Sequence, residues 1–419
     1  MKQTILITLA LMPFVLKAQS VKLDTVSTGA NYVNQIWYSL ANDEVGTAPK
    51  DNWDLAFELT GFNSSILVNT QKTGEAVYLS PYTWTNWSAF DTTGYKSWSS
   101  LHNSDTTWEI GALSRPGTYN TEDMGWGSYD MGSHAVLGTR LYLLVLPGNK
   151  FFQLGVKSLI AGTYTVTFKT LDNSDSTTFT IKKSDFPDKQ FAYYNVETKT
   201  ALNREPLKSD WDFTFTRFYT NIPVGGGQFL PYVVTGLLQN KGIKVAEVQK
   251  TDVINNVDYM NQTYTSRINE IGSDWKNFNN GTFKWEITDS LLYFVEDLNG
   301  DIWKVIMTDF SGSTAGNYML SKQKLTNSSL FSFNANQEVR VYPNPSQKGS
   351  NLYVVCDFAS NENVSITLTD HTGKIVYQSS VLSVNGFVAL ELPLELSSGV
   401  YAMNITSGSQ TAQQKIIIQ

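Results

Sequence analysis

The chain is poor in the residues that most often carry chemistry. Its 419 residues include one cysteine and three histidines, and only 16% are charged. The lone Cys356 excludes an internal disulfide, and a chain of this length needs none, because its core can be large. Cys356 lies in Leu352-Tyr353-Val354-Val355-Cys356-Asp357-Phe358, at the strand parity of Leu352, Val354 and Phe358. That pattern reads as a small buried hydrophobe and not as a reactive thiol. No G-x-S-x-G or H-E-x-x-H occurs, and Gly225-Gly226-Gly227 lacks the following Lys-Ser/Thr of a phosphate loop. No spacing nominates a catalytic pair among the 38 acidic residues, so no catalytic motif is found and the chain is not read as an enzyme. Lys and Arg total 31, leaving a net charge of −7 with no basic patch, so nucleic acid is a poor partner.

Long apolar runs are scarce as well. Residues 5 to 16 form one of twelve residues, too short to cross a bilayer core of about 30 Å. It follows Lys2 and precedes Ala18-Gln19, which together give the charged start, apolar middle and cut of a secretory signal peptide, predicted over residues 1–18. Leu16 and Lys17 are larger than an ideal cut site offers. No second run has spanning length, so no transmembrane segment is predicted.

Aromatic residues, by contrast, reach 13%, and apolar residues alternate with polar ones over short stretches broken by Gly, Asn, Asp and Ser. Both features favour strands. Asp252 to Ile271 is the best candidate for a short helix. The chain also repeats itself. Trp53-Asp54-Leu55-Ala56-Phe57 returns as Trp211-Asp212-Phe213-Thr214-Phe215, Leu141-Tyr142-Leu143-Leu144-Val145 as Leu292-Tyr293-Phe294-Val295, and Ala161-Gly162-Thr163-Tyr164 as Ala315-Gly316-Asn317-Tyr318. Matches in one order at similar spacing predict two related antiparallel β units, at 19–190 and 191–333. Asn334-Ala335-Asn336-Gln337 reads as a polar linker. Beyond it, about seven strands fit a small immunoglobulin-like β-sandwich over 335–419, with Val364, Ile366 and Leu368 on one face. The fold class is therefore mainly β.

That last unit carries Tyr342-Pro343-Asn344-Pro345, the Asp370-x-x-Gly373-Lys374 turn, Leu396-Ser397-Ser398-Gly399-Val400-Tyr401 and Lys415-Ile416-Ile417-Ile418. It resembles the C-terminal sorting domain of proteins exported through the type IX secretion system. The resemblance implies the type IX machinery as partner of residues 335–419 and a final location on the outer cell surface or outside the cell. The central region, with Asn52-Trp53-Asp54-Leu55-Ala56-Phe57, Val68-Asn69-Thr70, Gly74 and Trp211-Asp212-x-x-Phe215, resembles the HmuY-like haemophore family. That resemblance implies an all-β scaffold and haem held between two histidines, or methionines in some relatives.

His102, His134, Met124 and Met131 are the candidate haem ligands. They lie among Trp84, Trp87, Trp98, Trp108, Tyr119, Trp126 and Tyr129. A haem pocket needs two axial ligands on converging loops and rings to cover the macrocycle. No local spacing fixes such a pair, and two unrelated surface histidines fit the sequence as well. The rings could equally stack against a glycan or fill the space over a sheet. His371 sits in the sorting-domain turn and is read as exposed and inert. Asp297-Leu298-Asn299-Gly300-Asp301 has the look of a calcium loop but lacks the later bidentate acid, and it reads as a hairpin turn. The expected function is an exported binding protein, with haem the leading ligand. The alternatives are a carbohydrate- or protein-binding module, or a structural surface protein, without cofactor.

Overall fold

Period-two alternation governs the chain from residue 21 onward, and strands result. A computed structural model describes residues 21–419 apart from 62, 70, 115–121, 327–338, 348–350, 357–362, 371–372, 383–386, 392–395 and 408–409. The expected signal peptide, the polar linker, Tyr119, His371 and the side chain of Cys356 lie outside the described residues.

Three strands come first: β1 (Lys22–Ser27), β2 (Asn34–Ser39) and β3 (Asp43–Pro49). Then follow β4 (Leu55–Glu58), β5 (Ile66–Val68), β6 (Ala76–Thr83), β7 (Ser100–Leu101), β8 (Gly127–Asp130) and β9 (Ala135–Gly138). The first half ends with β10 (Arg140–Leu146), β11 (Lys150–Ile160), β12 (Thr163–Thr170), β13 (Ser176–Lys182), β14 (Phe191–Asn195) and β15 (Thr200–Leu202). The second half holds β16 (Phe213–Gly225), β17 (Gln228–Gln239), β18 (Lys244–Gln249), β19 (Lys276–Asn279), β20 (Lys284–Ile287), β21 (Leu291–Glu296), β22 (Ile302–Phe310) and β23 (Asn317–Lys324). The terminal sandwich is β24 (Val339–Tyr342), β25 (Asn351–Cys356), β26 (Asn363–Thr369), β27 (Ile375–Leu382), β28 (Phe387–Glu391), β29 (Gly399–Ser407) and β30 (Gln410–Ile418).

The sheets reveal how the repeat is built. In one unit the order β13-β12-β11-β10-β6 faces β15-β14-β4-β5. In the other, β1-β23-β22-β21-β18 faces β3-β2-β16-β17. The two orders correspond strand for strand, but the second unit takes β1, β2 and β3 from the start of the chain. The pairing therefore does not follow the expected line at 190/191. Residues 22–49 pair with the second half, through β1 on β23 and β2 on β16, while β14 remains on β4. The physical reason is that the repeat begins at the Trp-Asp strand. The second repeat runs out after β23, and its open edges at β16 and β23 would be bare ladders without the early strands.

Local bonds repeat with the topology. The Asp54 carboxylate accepts from the Val196 amide and the Asp212 carboxylate from the Leu40 amide, each at 2.6 Å. The Asn69 amide donates to the carbonyls of Lys50 and Trp53, and Asn240 does the same to Lys208 and Trp211. Leu55, Phe57, Tyr142, Leu144, Leu154 and Val156 belong to one core, and Ile36, Tyr38, Phe213, Phe215, Tyr293 and Val305 to the other.

The segment expected to be helical, Asp252 to Ile271, is irregular. Its polar side chains cap their own neighbours instead: Asp252 accepts from the Asn255 amide, Asn256 from Asp258 and Thr265 from Arg267. Such local bonds compete with helical ones. The β21–β22 turn, by contrast, is the hairpin the sequence indicated, with the Asp297 carboxylate accepting from the Asn299 and Asp301 amides and the Trp303 indole. In the terminal sandwich, β24-β25-β28 and β27-β26-β29-β30 enclose Leu352, Val354, Val364, Ile366, Leu368, Met403 and Ile405.

Candidate functional site

The four-stranded sheets of the two units meet face to face, and a cavity lies in this seam. Trp53 and Trp211, at equivalent places, are both buried there. Trp108, from the segment after β7, packs against clusters of both units and donates its indole N–H to the Gln239 carbonyl at 2.8 Å. The Arg204 guanidinium lies over the rings of Trp37, Trp53 and Tyr193, 5.1, 5.9 and 4.9 Å from their centres. It donates to Gln35 Oε1 and the Pro49 carbonyl, both at 2.8 Å. Beside it, Glu205 accepts from the amides of Gln190 and Phe191 and from the Tyr193 hydroxyl. Burial pushes the Glu205 carboxyl up to about 7. The space left is only about 50 Å³, room for a water or two and not for a macrocycle. The seam holds the two units together.

The four candidate ligands are spread over three places. His102 follows β7 and stacks on Tyr219 of β16, ring centres 4.1 Å apart, at the seam. Met124 packs against the first unit's core. Met131 and His134 share the exposed β8–β9 turn, where the Tyr129 hydroxyl lies 2.8 Å from His134 Nδ1. Through the ladders, Leu101 lies level with Phe152 of β11, whereas Val136 lies level with Leu159. Seven residues of strand put the two histidines about 20 Å apart, too far to bind one iron from opposite sides.

The aromatic segment before His102 is a cover for the first unit's outer sheet face. Tyr82, Trp84, Trp87, Phe90, Tyr95 and Trp98 pack over Leu141, Leu143 and Val145. Trp84 and Trp87 meet edge to face at 5.3 Å directly over Gly155, where a Cβ would stand 2.7 Å from Trp84. Of the uses open to these rings, filling the space over a sheet is the one the packing supports.

The equivalent face of the second unit is less covered. Tyr259 and Tyr264 pack on Phe294 and Ala246, and beside them an open groove of about 500 Å³ runs along β1, β22 and β23. Leu23 and Ile254 on its walls are 75% and 77% exposed. Val21, Val253 and Ile306 add apolar surface, with Lys304 and Asp289 as charged groups. Sequence reasoning missed this groove because its walls come from opposite ends of the central region. The signal lay in the poorer aromatic content of 250–265 compared with 82–98.

In the terminal sandwich the motif residues converge. Asn344 clamps β30, donating to the Lys415 carbonyl and accepting from the Ile417 amide. Asp370 receives the Lys374 amide, and the Tyr401 hydroxyl donates to the Ser397 carbonyl. Asp370, Lys374 and 396–401 line one cleft of about 560 Å³.

Residues 340–419 match the family described as "Secretion system C-terminal sorting domain". The chain is thus cargo of the type IX secretion system, exported to the cell surface or released, and its sorting domain engages that machinery. No helix among the described residues is long and apolar enough to cross a membrane. No curated protein matches the chain. Among solved structures, a tetra-tandem repeat from the extending region of a large adhesion protein aligns at 10% identity, covering 64% of this chain and 70% of that one, with a TM-score of 0.17. Faecalibacterium prausnitzii β-glucuronidase aligns at 11% identity over 58% and 41%, TM-score 0.17. Dimeric latent PorU from Porphyromonas gingivalis aligns at 10% over 94% and 34%, TM-score 0.16. Likenesses this slight carry no argument. Nothing among these matches supports the HmuY-like resemblance of the central region.

Proposed function

We propose that this exported chain is a binding protein of the cell surface without catalytic activity, and that its ligand is a small, largely apolar molecule held on the second unit's outer face. The observation that carries this reading is the open groove beside Leu23 and Ile254. Its size is that of small-molecule sites, and it joins apolar walls to a few polar groups. The test is a titration of the full chain with the apolar dye 8-anilinonaphthalene-1-sulfonate. Saturable binding that Leu23→Asp and Ile254→Asp each weaken about tenfold supports the groove. Absence of saturable binding, or binding indifferent to both substitutions, overturns it. Haemin is the second probe. A Soret band that shifts on His102→Ala or His134→Ala would move the ligand to the first unit and restore the porphyrin reading.

A further inference from the structure

The β16–β17 hairpin has no counterpart of its size in the first unit. Its strands are 13 and 12 residues long, against four and three for β4 and β5. Only its base is built into the body: Phe213 to Phe215 pair with β2, Tyr219 lies under His102, and the Thr220 hydroxyl donates to Asp105. Beyond Thr220 the ribbon projects. From Phe218 to Asn240 there is no charged residue. Phe229 and Leu230 are 61% and 56% exposed, and as neighbours on one strand they point to opposite faces. Leu230 pairs with Ile222, and Phe229 with Pro223, so each face of the tip carries apolar side chains, with Gln228 beside the glycine turn as its polar residue. Gly225, Gly226 and Gly227 turn it with φ of 93°, 60° and 73°. A Cβ on any of them would meet nothing within 4 Å, so glycine is required there by backbone conformation alone.

These features select the surroundings the tip fits. A groove on another protein covers one face of a ribbon and leaves the other in water, which suits a two-faced apolar tip poorly. Strand addition along its edges is hindered on both sides, because Pro223 and Pro231 each remove an amide donor. A hydrocarbon phase surrounds the tip on every side. From Ile222 to the glycine turn the ribbon extends about 10 Å at a rise of about 3.3 Å per residue, the depth to which interfacial segments enter a bilayer. Tyr232 lies just below that level, where aromatic rings with a polar end settle. We propose that the β16–β17 hairpin is a membrane-docking arm whose tip enters the acyl chains of a lipid bilayer.

The test is flotation of the full chain with phosphatidylcholine vesicles. The protein is expected to float with these neutral vesicles to the same extent at low and high salt, because the arm carries no charge to be screened. Phe229→Asp and Leu230→Asp should each reduce the bound fraction at least about tenfold. Both side chains are exposed, so the melting temperature should stay unchanged and show that the fold is intact. Three results would overturn the proposal: no flotation with neutral vesicles, flotation that needs anionic lipid or disappears at high salt, or flotation that neither substitution weakens. Concentration-dependent dimers in sedimentation, abolished by the same substitutions and without flotation, would assign the tip to self-association instead.

Discussion

Removing residues 21–50 should unfold the second unit and spare the first. The segment supplies β1, β2 and β3, and with them Val26, Ile36, Tyr38 and Leu40 to the second unit's core. Full burial of such side chains is worth about 1.5–3 kcal/mol each, so the four together account for roughly 6–12 kcal/mol. That is as much as the whole stability of a typical domain, about 5–15 kcal/mol. The deletion also strips the ladder partners of β16 and β23 and takes from Asp212 the amide of Leu40. The first unit, closed by β14 on β4 and β13 on β12, loses none of its own strands. Calorimetry should therefore show the second unit's transition disappear while the first unit's survives, and tryptophan fluorescence should report Trp275 and Trp303 in water. A synthetic peptide of residues 21–50, added in trans, should restore the lost transition. A deletion variant that melts as the intact chain does would refute the closure of the second unit by the chain's first strands.

Trp108→Ala should cost about 3 kcal/mol and move the calorimetric transitions of the two units further apart, because this indole packs on both. Asp212 gives a pH signature. Burial raises its carboxyl to about 7 from an ordinary 3.8, so the folded state holds a proton that the unfolded state releases. Its contribution is full below about pH 4 and is lost as pH rises to about 7, a fall on the order of 4 kcal/mol. Asp212→Asn should flatten that slope in denaturant titrations across this range. Deleting residues 335–419 should leave the central units folded, by circular dichroism, while the protein accumulates in the periplasm and is absent from the cell surface.

The strand content and the terminal sandwich were readable because alternation is a local signal. Val364, Ile366 and Leu368 are buried together as their parity requires. The repeat was readable at Trp53 and Trp211 for the same reason. Its phase was not, because Gln35-Ile36-Trp37-Tyr38 and Phe191-Ala192-Tyr193-Tyr194 share little beyond apolar character, and only the ladders show them equivalent. The Asp252 to Ile271 segment misled because its spacing could not show that Asp252, Asn256 and Thr265 spend their side chains on nearby amides. His102 and His134 are 32 positions apart in a chain with three histidines, yet the sheet sets them at different levels. Proximity in sequence said nothing about register. The groove escaped notice because its walls, at residues 21–23 and 253–323, come from opposite ends of the central region.

The Thr28 amide hydrogen-bonds to the Gly316 carbonyl, although the two residues stand 288 positions apart. A unit fastened by such a bond cannot finish folding until nearly all of the central region is present. Closing so long a loop also makes β1 on β23 a slow event in folding. For a protein exported to the cell surface or released, the order of assembly matters. The first unit can fold from a continuous stretch, while the second keeps the sheet edges of β16 and β23 open until β2 and β1 pair with them.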